Sequence, residues 1–372
     1  MKEEKLIAML GGGQLGLMFT EKAQEMGQKV LILDPDKDCP AGKIADKFIN
    51  ASFDDSNALN FILKNCNVCT TEFENIPYQT LEFLDKGIRV FPNPQSLKIS
   101  QNRILEKSFL KKNNIPTTEY YEINSEKDIE VLCNLEKWPY ILKTSTFGYD
   151  GKGQIIIQDF DDIKKAYNKL QATNYVLEKK VTLKKEVSQV AACYNEKIIF
   201  LPISENIHIN NILHKSIVPA DINKEIEKSV QTITTTICKA LNYQGIICIE
   251  FFIDSMDNVL VNEIAPRTHN SGHYSIEGCN ISQFEHQVRI LNNYEAKPSK
   301  LKYPSVMLNL LGDLWINNKP NFNFDSKKNI FLHLYNKTTP KKGRKMGHIT
   351  VTNDDLKTAN DSIDEIFTNL KN

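Results

Sequence analysis

This sequence predicts an α/β chain with an α+β centre, on three patterns. Near the start, two short apolar runs flank a glycine turn and a helical run, which is a βαβ unit. In the middle, apolar strands at 138–143 and 154–157 enclose a loop rich in glycine, with lysines at both sides of its tip. Further on, two apolar strands, Gly245–Ile253 and Asn258–Ile264, are joined by a short polar turn, and each carries a glutamate.

At 372 residues the chain is too long for one ordinary core, so two or three domains are expected. Its 46 basic and 46 acidic residues cancel, which removes any bulk electrostatic case for nucleic acid or membrane partners. Eight cysteines are scattered, as in a reduced intracellular protein. Cys66 and Cys69 form a lone C-x-x-C, and Cys69, in an apolar run, reads as core. The opening Met-Lys-Glu-Glu-Lys lacks a signal-peptide pattern, and no apolar run reaches membrane-spanning length. The expectation is a cytoplasmic protein.

In order, residues 5–10 read as a buried parallel strand, Leu15–Met26 as a helix ended by Gly27, and Lys29–Leu33 as a second strand ending at Asp34. Gly11, Gly13 and Gly16 with Asp34 resemble a dinucleotide fingerprint. A glycine turn before a helix also serves any phosphate, or merely packs tightly. A helix Ser56–Asn65, a strand Cys69–Phe73, a helix Tyr78–Lys86 and a strand Arg89–Phe91 follow. Glu72 and Glu74 stand at a strand's carboxyl end, where open α/β sheets bind ligands; they read equally as solvated loop acids. Phe91-Pro92-Asn93-Pro94 marks a boundary.

Ser96–Asn113 reads as one helix, capped by Ser96 and carrying Arg103 and Lys107, and Pro116 breaks it. Strand Trp138–Lys143 then leads into Gly148, Tyr149, Asp150, Gly151, Lys152, Gly153 and Gln154. Free backbone N–H groups beside Lys143 and Lys152 make a phosphate cover. It is not a Walker loop, because a strand (Gln154–Ile157) follows rather than a helix. Strands follow at Tyr175–Glu178, Leu183–Ala192 (with Glu186 near its start) and Lys197–Leu201, then a helix at Ala220–Leu241. If the next two strands pair, Glu250 and Glu263 face one another. Two such carboxylates repel unless a cation lies between them, and hard oxygen ligands beside a phosphate suit Mg²⁺. The loop just beyond carries Arg267, His269, Asn270, Ser271 and His273.

Beyond residue 296, prolines punctuate short strands at Ser305–Leu311, Asn329–Tyr335 and His348–Val351, and Leu356–Leu370 is a final amphipathic helix. The basic run Lys341–Lys345 reads as a solvated turn or as a phosphate clasp.

Taken together, these residues resemble the ATP-grasp superfamily. Within it they resemble the N5-carboxyaminoimidazole ribonucleotide synthetases of purine biosynthesis. The resemblance rests on Gly11–Gly16 with Gln14, Glu72-Phe73-Glu74-Asn75, Lys143 with Phe147–Gln154, Glu250, Asn262–Arg267, His269–Tyr274, His333–Lys337 and Gly343–His348. It spans essentially the whole chain.

The resemblance implies an ATP-grasp architecture of three parts: a Rossmann-like parallel-sheet domain (1–94), a two-part ATP-grasp domain (95–295, lid about 117–182) and a small β-rich domain (296–372). It implies ATP-dependent carboxylation of 5-aminoimidazole ribonucleotide with bicarbonate, through carboxyphosphate. ATP would be held by Arg103, Lys143, Gly148–Gln154, Glu178, Lys179, Lys180, Val181, Glu186, His208, Asn262 and Glu263. Glu250 and Glu263 would bind Mg²⁺ or Mn²⁺. Arg267, His269, Asn270 and Lys337 would serve bicarbonate and carboxyphosphate. Gln14, Glu74, Tyr149, Asp150, Arg344 and Lys345 would contact the ribonucleotide. A homodimer is also implied. The chain departs from the family pattern at Thr268, where proline is usual, and at Asn211, where glycine is usual. Competing readings are another ATP-grasp ligase (a formate-using glycinamide ribonucleotide transformylase or a biotin carboxylase), an NAD-dependent oxidoreductase resting on Gly11–Gly16 and Asp34, and a non-catalytic binding protein that keeps the fold.

Overall fold

The computed structural model describes residues 6–371 apart from 137, 147, 149–152, 171, 318, 319, 323 and 325–328. Three sheets organise the described residues. The first is parallel, in the order Lys47–Asn50, Val30–Asp34, Leu6–Leu10, Cys66–Thr71, Arg89–Phe91. Its central strands are near-continuous apolar runs, as expected of parallel strands covered on both faces. Cys66 and Cys69 are both fully buried there, so the core reading of Cys69 holds. The outer strand Lys47–Asn50 escapes a reading by hydropathy because it is short and partly exposed.

Helix Gln14–Glu25 leaves the glycine turn and packs against helix Gln283–Leu291, far away in sequence. Phe19, Val190, Ala192 and Phe284 share one buried cluster, so the N-terminal and central sheets are held by a common core. At about 25 cal/mol per Å² of apolar surface, each of the larger side chains, Phe19, Val190 and Phe284, contributes roughly 1.5–3 kcal/mol to that junction.

The single helix expected over Ser96–Asn113 is two helices, Pro94–Ser100 and Arg103–Lys112. The chain restarts at Asn102, whose side chain accepts from Ile104 N (2.9 Å) and Leu105 N (3.2 Å). Apolar periodicity runs on across that break and hides it. The first helix is capped by Asn93, which accepts from Ser96 N at 2.8 Å; Ser96 itself is not the cap. Likewise the helix expected from Ala220 begins at Lys224 behind the cap Asn223.

The second sheet is four-stranded: Tyr120–Ile123, Tyr175–Lys179, Tyr140–Thr144, Gln154–Ile157. Its last two strands form the expected hairpin, with Lys143 opposite Gln154. Tyr149, Asp150, Gly151 and Lys152 lie outside the described residues.

The third sheet is antiparallel and has nine strands. Its main path runs Val259–Ala265, Gly245–Asp254, Leu183–Tyr194, Ser204–Ile209, Ile212–Val218, Ser305–Leu311, Lys345–Thr352, Ile330–Leu334, and Lys197–Phe200 pairs beside Leu183–Tyr194. The C-terminal strands therefore extend the central sheet edge to edge, through Ile217 opposite Val306. Helix Leu356–Lys371 covers them, anchored by Lys215 Nζ to Asp364 at 2.9 Å.

Candidate active site

The strands Gly245–Asp254 and Val259–Ala265 pair with Glu250 opposite Glu263, as their spacing predicted. The register slips by one residue just beyond, since Phe251 faces Val261. Asn262 is the extra residue of this bulge, which turns it onto the carboxylates; its Nδ2 stands 3.4 Å from Glu250 Oε2. Burial and the facing Glu263 push Glu250 up to about 7. The pair has one partial counter-charge, since Arg103 Nη1 is 3.7 Å from Glu263 Oε2, and His269 Nε2 is 3.3 Å from Glu250 Oε1. Among the described residues no third metal-ligating side chain converges with others into a cluster. The donor set is all oxygen, repulsive and incomplete. It fits a hard divalent cation whose other ligands come from phosphate and water.

Around this pair opens a cleft of about 1250 Å³. Of the residues marked by sequence, it is lined by Gly13, Gln14, Asp34, Glu72, Glu74, Arg103, Lys143, Gln154, Glu178, Lys179, Lys180, Val181, Glu186, His208, Asn211, Glu250, Asn262, Glu263, Arg267, His269, Asn270, Lys337, Arg344 and Lys345, among others. Gly148 and Gly153 are described but do not line it; the carbonyl of Gly153 accepts from Thr144 N at 2.8 Å within the hairpin.

One wall is the four-stranded sheet. Lys143 Nζ donates to Glu178 Oε2 at 2.9 Å, with Lys107 Nζ 3.6 Å from the same oxygen. Burial alone would raise the Glu178 carboxyl, but Lys143 and Lys107 hold it well below the usual carboxylate range. Its other oxygen is buried without a partner among the described residues. Ile141 and Ile156, cross-strand neighbours, line this wall, and Leu183 and Phe252 also line the cleft. A polar-residue search misses these four; the half-exposed Ile156 and Leu183 are the signal that could have found them.

On the central sheet, His208 Nδ1 lies 2.9 Å from Glu186 Oε2, and although burial pulls the imidazole down, Glu186 raises it. The loop after Glu263 is held from several sides. Arg267 Nε donates to Glu74, so Glu74 sits below the usual range although burial alone would raise it. His269 is held neutral by burial, by Arg267 and by Lys345. Its Nδ1 accepts from Ser271 N at 3.3 Å, which leaves Nε2–H toward Glu250. Both polar atoms of the Asn270 side chain, in a residue that lines the cleft, are buried without a partner among the described residues. Such a group costs about 1–3 kcal/mol until a ligand satisfies it.

The C-terminal strands supply the last wall. Lys337 Nζ reaches Gln14 Oε1 (3.1 Å) and the carbonyl of Lys345 (2.8 Å), tying the first helix to the strand that follows the basic run. Arg344 donates to Thr339 O at 2.8 Å. His273 and His348 are instead buried behind the cleft, where His348 stacks on His333 at 4.4 Å between ring centres.

The glycine turn resolves against a dinucleotide. Glu72 occupies the amides of Gly13 and Leu15 at the start of the helix, where a pyrophosphate would sit. Asp34 accepts from Gly12 N at 2.6 Å and Asp36 N at 2.7 Å, so both of its oxygens already hold backbone amides. The glycines are needed for this packing. A Cβ on Gly13 would lie 2.3 Å from Glu72 Oε1, and Gly11 has φ +99°. The oxidoreductase reading loses its only support.

Comparison with known proteins agrees with this geometry. The ATP-grasp domain profile matches residues 108–284. The ribonucleotide synthetase preATP-grasp domain matches 4–101, and the phosphoribosylaminoimidazole carboxylase C-terminal domain matches 305–362. The N5-carboxyaminoimidazole ribonucleotide synthase of Staphylococcus aureus (strain COL) is 41% identical over 355 residues, covering 94% of this chain and 93% of its own. The chain belongs to the N5-carboxyaminoimidazole ribonucleotide synthase family. A synthase of this family from Staphylococcus epidermidis (strain ATCC 12228) is 40% identical over 94% of this chain and 93% of its own. Solved family members share the fold. The S. aureus synthetase complexed with ADP superposes with a TM-score of 0.90 at 38% identity, covering 99% of each chain. The Aspergillus clavatus enzyme in complex with ADP and 5-aminoimidazole ribonucleotide superposes with a TM-score of 0.89 at 29% identity, over 100% of this chain and 99% of that one. Like other members of this synthase family, the chain is an ATP-dependent ligase of ATP-grasp architecture, with ATP as co-substrate.

Proposed function

We propose that this protein carboxylates the exocyclic amine of 5-aminoimidazole ribonucleotide, consuming ATP and bicarbonate and releasing N5-carboxyaminoimidazole ribonucleotide, ADP and phosphate in purine biosynthesis. The carrying observation is that one cleft joins three kinds of wall: a lysine–carboxylate wall with apolar neighbours, a repulsive glutamate pair, and a cationic loop facing Lys337, Arg344 and Lys345.

Each wall has a role in this reading. Ile141, Ile156, Leu183 and Phe252 flank the base, and the unpartnered oxygen of Glu178 accepts from an N–H or O–H of the nucleotide. Arg103 and Lys143 neutralise the phosphates. Glu250 and Glu263 would hold a Mg²⁺ ion, which supplies charge neutralisation on the phosphate oxygens. Bicarbonate oxygen attacks the γ-phosphorus and the bond to ADP breaks, giving carboxyphosphate. The substrate amine then attacks its carbon, phosphate leaves, and the amine loses a proton. Arg267 and the Asn270 amide hold the anionic carboxyl group, while neutral His269, oriented by Ser271, donates from Nε2. Arg344 and Lys345 clasp the 5′-phosphate, with Gln14 and Glu74 on the remaining polar groups. No side-chain nucleophile is used.

Among the described residues no helix is long and apolar enough to cross a membrane. We place the enzyme in the cytoplasm as a homodimer, to be checked by fractionation and sedimentation. The reaction is tested by phosphate release with ATP and each of bicarbonate and the ribonucleotide added singly and together. Release only with both is expected. Release that ignores the ribonucleotide, or that needs formate and glycinamide ribonucleotide, would overturn it.

A further inference from the structure

The best-buried cation beside the cleft belongs to a residue that does not line it. Lys107 has no exposed surface, sits on helix Arg103–Lys112 and is not among the cleft residues. A fully buried ammonium is costly unless every donor is placed. Here two donors are bonded and a carboxylate lies close by: Lys107 Nζ donates to Thr117 Oγ1 at 2.7 Å and to Thr118 Oγ1 at 3.1 Å, and stands 3.6 Å from Glu178 Oε2.

Those three contacts belong to two different sheets. Thr117 is tied to the glutamate-bearing strand: its hydroxyl donates to Val261 O at 2.8 Å, and Val261 N donates back to Pro116 O at 2.8 Å. Thr118 is tied to the four-stranded sheet, donating to Glu178 Oε2 at 3.1 Å. Residues 116–118 are thus the crossing between the sheets, and the Lys107 ammonium grips both sides of it.

The helix itself bridges the same gap. One turn before Lys107, Arg103 faces Glu263 at 3.7 Å, and its backbone N–H donates to Ser145 O at 2.8 Å, just past the strand of Lys143. Between them, Glu106 accepts from Ile264 N at 2.7 Å. Residues at i, i+3 and i+4 share one helix face, so one rigid element sets the spacing between the glutamate pair and the Lys143–Glu178 wall.

We propose that Lys107 is a positioning residue for nucleotide binding: without touching substrate, it pins Glu178, and through it Lys143, at a fixed distance from Glu263. This rests on the reading of the cleft as the ATP site. Glu178 Oε2 is shared by Lys143, Lys107 and Thr118, and this leaves Oε1, unpartnered among the described residues, for a ligand. Without the Lys107 charge, Glu178 keeps Lys143 and Thr118 but loses one of its two cations, and the Lys143–Glu178 pair shifts from the position that the nucleotide needs.

The test is Lys107→Met, which keeps the stem and removes the ammonium. ADP affinity in the presence of Mg²⁺ is measured by calorimetry on the full chain, together with KM for each substrate and the melting temperature. The expected result is ADP binding and KM for ATP weakened about tenfold or more, equivalent to about 1.4 kcal/mol, with KM for the ribonucleotide changed less than about twofold. A lower melting temperature with ADP affinity within about twofold of wild type would mean a merely structural lysine and overturn the proposal. Should Lys107→Met fail to fold, Thr118→Val decides. It removes the hydroxyl shared by Lys107 and Glu178, and ADP binding weakened about threefold or more is expected; unchanged binding overturns the proposal. Wild-type protein that binds ADP but releases no phosphate with bicarbonate and ribonucleotide would overturn the reaction and leave the role of Lys107 standing.

Discussion

Two acidic sites open on the same cleft and have opposite physics. Glu72, beside the glycine turn of the parallel sheet, spends both oxygens on backbone amides of its own chain. Glu250 and Glu263, in the antiparallel sheet, face each other, with Arg103 3.7 Å from Glu263 and the neutral His269 3.3 Å from Glu250. The first site is a closed interaction that fixes a loop. The second is an unfinished one, which a divalent cation completes. By its sequence pattern the glycine turn is the more familiar ligand signature, yet its ligand is a side chain of the protein. An acid whose lone pairs are filled from within holds structure together; acids that repel are kept for something else.

The largest effect that can break this contrast is on activity. Glu263→Gln is expected to lower kcat by about 100-fold or more, in the range seen when one electrostatic contact to a transition state is lost. The same change removes a repulsion, so the melting temperature without ligand should stay level or rise. A drop in melting temperature would make the pair structural and erase the contrast. Chelation of divalent metal should likewise abolish phosphate release while leaving the unliganded melting curve unmoved, as scanning calorimetry can show.

The reverse pattern is expected at the glycine turn. Gly13→Ala drives a methyl group to 2.3 Å from Glu72 Oε1 and should destabilise the fold by about 1–3 kcal/mol in urea unfolding. Glu72→Gln presents an amide N–H to a backbone N–H and should cost about 1–3 kcal/mol. Its KM for ATP should be unchanged, and a fluorescence titration should show no NADH binding to the wild type. A nucleotide-affinity defect in Glu72→Gln would make that acid a ligand after all.

The smallest effect is the pH dependence of the ligand-free, metal-free protein. Glu250 has a folded value of about 7, above the ordinary carboxyl value of about 4.3. The folded state therefore binds the extra proton between those values, and the contribution of this group to stability is lost as pH rises from about 4.3 through 7. Glu263→Gln should flatten that slope in melting temperature measured across pH 5–8.

Much of this was legible in short stretches. The buried runs 6–10 and 30–34, the hairpin between the strands at 138–143 and 154–157 and the opposition of Glu250 to Glu263 follow from local hydropathy and turn length. Local pattern could not show that the helix over 96–113 breaks at Asn102, because the cap competes with an uninterrupted apolar stripe. Nor could it reveal strand Lys47–Asn50 or helix Gln283–Leu291, the latter settled by packing on helix Gln14–Glu25.

By itself, then, the sequence determined which residue types carry the chemistry and which strand ends display them, since side-chain alternation and glycine turns act over a few residues. Only the tertiary structure decided that Glu72 closes the glycine turn, that Asn262 bulges onto Glu250, that the C-terminal strands continue the central sheet, and that Lys107 grips the crossing between two sheets. Each of these joins segments tens to hundreds of residues apart. Their energies come from burial and hydrogen bonding that exist only once the chain has collapsed around them.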